Sequence, residues 1–129
     1  MGLFNKKTLD NRFAMWVDRA FSNEIRNDVV AINFNIYENN KNQWSIEIVG
    51  TSSFNENDEN WACDEITDFG TRNAPFSWNE SSDWKKVLDK TAKMIKKYLK
   101  KGKYADKIKK VNGIGTGFVD GNIQLIYLK

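Results

Sequence analysis

The chain has 129 residues, enough for one domain with a substantial core, and its 13% aromatic content argues against disorder. It has no histidine, which removes the commonest general base and metal ligand, and a single cysteine, Cys63, which excludes an internal disulfide and a multi-cysteine zinc site. The net charge of +3 conceals an asymmetry: residues 1–80 hold 7 Lys+Arg against 13 Asp+Glu (net −6), and residues 81–129 hold 13 against 4 (net +9). Such a split points to a charged partner or to two faces of opposite sign.

The opening residues contain no long apolar run, so neither a secretory signal nor a membrane span is expected. Gly2 invites N-myristoylation, but Lys6 stands where that signal wants Ser or Thr. A reduced, cytoplasmic setting follows, in which the glycosylation-type triplet Asn79-Glu80-Ser81 is a coincidence and Cys63 is expected as a small core residue.

Residues 8–25 predict a first helix, with Leu9, Phe13, Trp16, Val17, Ala20, Phe21 and Ile25 at helical spacing and Thr8 as N-cap. Residues 30–37 alternate: Val30, Ile32, Phe34 and Ile36 face one way, and Ala31, Asn33, Asn35 and Tyr37 the other. The turn residues 39–42 lead to a second alternation, Trp44, Ile46 and Ile48 against Ser45, Glu47 and Val49. This predicts an antiparallel hairpin with one wet face, its second strand ending or bulging near Gly50. Residues 55–68 then carry Glu56, Asp58, Glu59, Asp64, Glu65 and Asp68 and no basic residue. Their first half reads as an exposed loop, and Trp61, Cys63 and Ile66 as a short third strand. Residues 69–81, with Gly70, Pro75 and Trp78, read as a loop held down by aromatics.

The clearest element is the helix expected over 82–101. Trp84, Val87, Leu88, Thr91, Ala92, Ile95, Tyr98 and Leu99 form its apolar face, and Lys85, Lys86, Lys90, Lys93, Lys96, Lys97, Lys100 and Lys101 its outer one. Ser82 is expected as N-cap and Gly102 as a left-handed stop. A further helical turn is expected over 104–110. Alternation then resumes on both sides of Asp120-Gly121, predicting a hairpin closed by a two-residue turn with positive φ. The sum is one α+β domain over 1–129: an antiparallel sheet of four to five strands with two amphipathic helices on one face.

No catalytic, cofactor-binding or metal constellation is expected. Gly113, Gly115 and Gly117 precede a hairpin rather than a helix N-terminus, so they predict close packing in a strand, not a phosphate loop. Asn55, Asn57 and Asp58 lack the turn glycine and terminal glutamate of a calcium loop. Asp64 and Glu65, adjacent on a strand, point apart and cannot act together on a sugar. What remains is the acidic stretch with aromatic anchors. Glu56, Asp58, Glu59, Trp61, Asp64, Glu65 and Asp68 suit an interface with a basic protein surface, the aromatic supplying buried contact and the charges steering encounter. The alternative is an ordinary acidic loop whose tryptophans serve the core.

The ending, Gly117-Phe118-Val119-Asp120-Gly121-Asn122 after a lysine-rich amphipathic helix, resembles small α+β immunity proteins of bacterial polymorphic or contact-dependent toxin systems. The resemblance implies a cytoplasmic, non-enzymatic protein that binds a cognate toxin domain and blocks its active site. It also implies that an acidic surface meets a basic, nuclease-type site. A second expectation is a nucleic-acid-binding module using Lys85, Lys86, Lys93, Lys96, Lys97 and Lys100; with no arginine in the helix, its contacts would go to phosphates rather than bases.

Overall fold

The computed structural model describes residues 8–129; the reading of Gly2 and Lys6 lies outside them. The elements run α1 (Leu9–Ala20), β1 (Ala31–Asn40), β2 (Gln43–Thr51), a 3-10 helix (Glu59–Cys63), β3 (Glu65–Gly70), β4 (Phe76–Asn79), α2 (Trp84–Lys101), α3 (Ala105–Ile108), β5 (Gly113–Phe118) and β6 (Gln124–Leu128). The fold is α+β as expected, but the sheet has six strands. Their order is β3-β2-β1-β5-β6, with β4 also paired to β2. It is mostly antiparallel; β1 and β5 run parallel, because the chain crosses over through α2 before returning to the sheet. No helix among the described residues is long and apolar enough to cross a membrane.

One face of the sheet carries the main core. Ile32, Phe34 and Ile36 of β1, Trp44, Ile46 and Ile48 of β2 and Ile114 of β5 pack against Phe13, Trp16 and Val17 of α1 and Val87, Ile95 and Tyr98 of α2. Thr8 caps α1 as expected, its Oγ1 accepting from the Asn11 N–H, but the helix ends at Ala20 rather than Ile25. Lys107 explains the stop: its ammonium donates to the Phe21 carbonyl at 2.7 Å and the Asn23 carbonyl at 2.6 Å, supplying positive charge at the helix's negative end. In α2 the cap is Asp83, not Ser82, and its carboxylate accepts from the Lys86 N–H at 2.9 Å. Trp84, expected on the apolar face, is 54% exposed. Gly102 stops α2 with φ −69°, not in the left-handed region. Glycine is needed there for space, since a Cβ would overlap the Tyr98 ring.

Three connections differ from expectation. The segment 59–63 is a 3-10 helix rather than strand, capped by Asp58, and Cys63 at its end is exposed rather than buried. The supposed loop 69–81 contains β4, whose Phe76 and Trp78 are buried beside Ile46 and Trp44. The β5–β6 hairpin forms, but its loop spans 119–123, and neither Asp120 nor Gly121 has positive φ. The irregularity expected at Gly50 appears as a register shift where β2 pairs with β3.

Glu80 ties this end of the molecule together. Its carbonyl accepts from Trp44 Nε1–H at 2.9 Å, and its carboxylate from Trp78 Nε1–H at 3.0 Å and Lys90 Nζ at 2.7 Å. Burial pushes this carboxyl up, but hydrogen bonds from Lys90, Trp78 and Ser82 and the Lys90 charge outweigh it and hold the pKa below the ordinary value.

Candidate interaction surface

The opposite face of the sheet is not the wet face that alternation predicts. Asn33 and Ser45 are buried, and Glu47 is only 8% exposed. Asn33 lies opposite Gly115, and Asn35 opposite Gly117. The polar side chains are buried because they bond to each other. Asn33 donates to the Asn35 side chain, and Asn35 to Glu47 at 3.4 Å. Ser45 bonds to Ser77 at 2.7 Å and accepts from Asn39 at 2.7 Å. Arg72 closes the row, donating to Glu47 at 3.2 Å and pairing with Glu65 at 2.7 Å. Its bonds to Glu65 and then to Glu47 push the guanidinium pKa above its ordinary value. Paired in this way, most of these polar groups avoid much of the cost of leaving water; the exception is the Asn33 Oδ1, which is buried without a hydrogen-bond partner among the described residues.

The glycines of β5 make a floor on this face. A Cβ at Gly113 would overlap the Phe54 ring. At Gly115 it would lie 2.8 Å from Ile123 Cγ2, 3.0 Å from Asn33 Oδ1 and 3.3 Å from Trp61 Cζ2. At Gly117 it would overlap the Asn122 carbonyl. Phe54 and Trp61 meet edge to face at 5.1 Å, and Trp61 is 4% exposed. The expected close packing thus has definite partners, and they are the aromatics that begin and end the acidic loop.

Each residue singled out in the acidic stretch has a place. Trp61 is an internal anchor, turned into the protein rather than outward. Asp58 caps the 3-10 helix, its Oδ1 accepting from the Asn60 N–H at 3.0 Å. Glu59 accepts from the Ile123 N–H at 2.8 Å, fastening the segment to the β5–β6 loop. Asp64 accepts from the Ser53 hydroxyl, and its carbonyl from the Ser52 N–H at 2.9 Å. Glu65 holds Arg72. Glu56 and Asp68 are exposed, and no hydrogen bond or ion pair to a described residue engages their carboxylates. The segment is an acidic platform on a rigid base rather than a floppy loop.

A second feature was not read from the sequence. A groove of about 890 Å³ lies between the start of α2, the β1–β2 end of the sheet and the 119–123 loop. Trp84, Phe118, Trp44, Val119, Glu38 and Asp120 are among its walls. Phe118 meets Trp44 at 6.0 Å and Trp84 at 6.1 Å, both edge to face. Its residues come from three distant segments, and the available signal was Trp84, a large apolar side chain in the first turn of a helix beside its cap.

The lysine face of α2 is partly neutralised. Lys90 pairs with Glu80, Lys93 with Asp89 at 2.9 Å and Lys97 with Asp10 at 3.0 Å. Among the described residues no group of three or more His, Cys, Asp or Glu side chains is placed to hold a metal ion. The arrangement is an α+β scaffold with an acidic platform on one face of its sheet and a lysine-bearing helix on the other. No family model matches the chain, and neither a curated protein nor a solved structure matches it.

Proposed function

We propose that this protein is a non-enzymatic binding protein that occludes the basic working surface of a partner protein, in the manner of an immunity protein inhibiting a toxin domain. The observation that supports this most is the platform of residues 52–68. Its tryptophan fixes the backbone and its cap residues shape it, while Glu56 and Asp68 are exposed in a stretch, 55–68, that contains no basic residue. A surface held in advance loses little entropy on association, and its charge raises the encounter rate. A nuclease-type toxin, with a cationic substrate site, is the partner chemistry this potential suits.

The proposal predicts that a toxic domain is encoded beside this protein, and the test is association kinetics with that domain. Glu56→Lys with Asp68→Lys leaves every hydrogen bond of the platform in place. It should slow association about tenfold at low salt and have little effect at high salt. Unchanged kinetics at low salt would remove this surface from the proposal.

A further inference from the structure

We propose that the groove between Trp84, Phe118 and Asp120 captures an arginine side chain presented by a partner protein. This rests on the binding-protein reading above and names a second contact for the same partner. Arg is favoured over other occupants by the composition of the walls. Trp84 is 54% exposed and Val119 61% exposed, so the rim offers a broad apolar surface beside the edge-to-face aromatics. The charged residues lining the groove are Glu38 and Asp120, both carboxylates, although the chain from 81 onward has 13 lysines. Asp120 has no ion-pair partner among the described residues, and Glu38 uses one oxygen to accept from the Asn42 N–H at 3.1 Å. A planar guanidinium stacks on an indole and bonds a carboxylate with two N–H groups at once, which an ammonium cannot do.

Two further observations bear on this. The Lys85 ammonium already lies over the Trp84 ring, 5.7 Å from its centroid, so the ring's electron-rich face accepts a cation in this setting. The groove also adjoins the acidic platform. Asn122 lines the groove, and the next residue, Ile123, donates its N–H to Glu59. One partner can therefore reach both surfaces across the 119–123 loop.

The probe is N-acetyl-arginine amide, titrated into the whole protein and followed by amide and indole NMR shifts. N-acetyl-citrulline amide, the same shape without charge, is the control. Arginine amide should give saturable shifts at the Trp84 indole, Gly121 and Asn122, with millimolar affinity. Citrulline amide should bind about tenfold or more weakly, given the worth of charge-assisted bonds. Asp120→Asn with Glu38→Gln should erase that preference while leaving the fold, and Lys85→Gln should tighten arginine binding by removing a competitor. Equal shifts from both probes would overturn the proposal, as would arginine shifts centred on residues 55–68 or none at all. Because no partner protein enters this experiment, its failure leaves the platform reading to be decided by association kinetics.

Discussion

Replacing Trp61 with alanine should detach the acidic platform. Burying an aromatic side chain takes about 150–250 Å² out of water, and at roughly 25 cal/mol per Å² the ring contributes about 4–6 kcal/mol at most. Trp61 stands outside the helix-side core and packs on Phe54 and the glycine floor. In that thin layer its neighbours can close over part of the gap, so the expected loss is nearer 3 kcal/mol, the low end for removal of a large aromatic. Urea denaturation followed by circular dichroism gives this number. Hydrogen exchange locates it: the Ser52 and Asp64 amides, which bond to the Asp64 and Trp61 carbonyls, should exchange faster even where global opening does not account for it. Gly113→Ala should disturb the same layer, because the added Cβ overlaps the Phe54 ring, and more than Gly115→Ala, whose nearest contact is a side-chain methyl at 2.8 Å. A Trp61→Ala protein destabilised by less than about 1 kcal/mol, with Ser52 and Asp64 still protected, would refute the anchoring argument.

Thr91 is fully buried in α2 and its hydroxyl has no hydrogen-bond partner, so Thr91→Val should stabilise by about 1 kcal/mol in urea denaturation. Tyr98→Phe should cost about 1–3 kcal/mol, because the hydroxyl donates to Asp18 at 2.6 Å and accepts from the Tyr104 N–H at 3.2 Å. For Glu80 the folded pKa is depressed, so its contribution is present above the unfolded value and is lost as pH falls through the folded one. Stability measured against pH should show the native protein above Glu80→Gln at pH 7, with the two curves converging below about pH 4.5, the ordinary value. Parallel curves would mean that Glu80 acts through its backbone carbonyl alone. If the lysine face binds nucleic acid, affinity for a DNA duplex at low salt should fall with Lys96→Gln and Lys100→Gln and vanish by about 200 mM salt; a flat titration removes that reading.

Much of the fold is legible because local pattern and tertiary packing agree. The lysine-faced helix has apolar residues at nearly every helical repeat, and the β1–β2 alternation is unbroken. What failed depends on residues far apart in sequence. Ser45 and Glu47 read as a wet face because their partners, Ser77 and Arg72, lie in a segment with no apparent reason to return to β2, and Asn33 because Trp61, which packs beside it at Gly115, comes from the acidic segment. The segment of Ser77 and Arg72 runs from Arg72 into β4, a strand of only four residues whose Phe-Ser-Trp-Asn alternation is the one available sign. The parallel pairing of β1 with β5 needed strand order, which no local signal specifies. The close packing of the glycine floor follows from its sequence context, but Phe54 and Trp61, the rings that fill it, come from a distant segment that no local pattern points to. For the same reason the sequence places Trp61 among residues facing a partner, whereas in the structure it faces Gly115. Trp84, counted in the core, stands at the mouth of the groove.

The most direct test is protection itself: the account predicts a toxic domain encoded beside this gene, and cells expressing that domain would have growth measured with and without this protein, and the complex isolated from them. The account predicts rescued growth, a one-to-one complex, and loss of both when Glu56, Asp68 and Asp120 carry lysine. Undiminished toxicity with no complex would contradict it, as would rescue that survives those three substitutions intact.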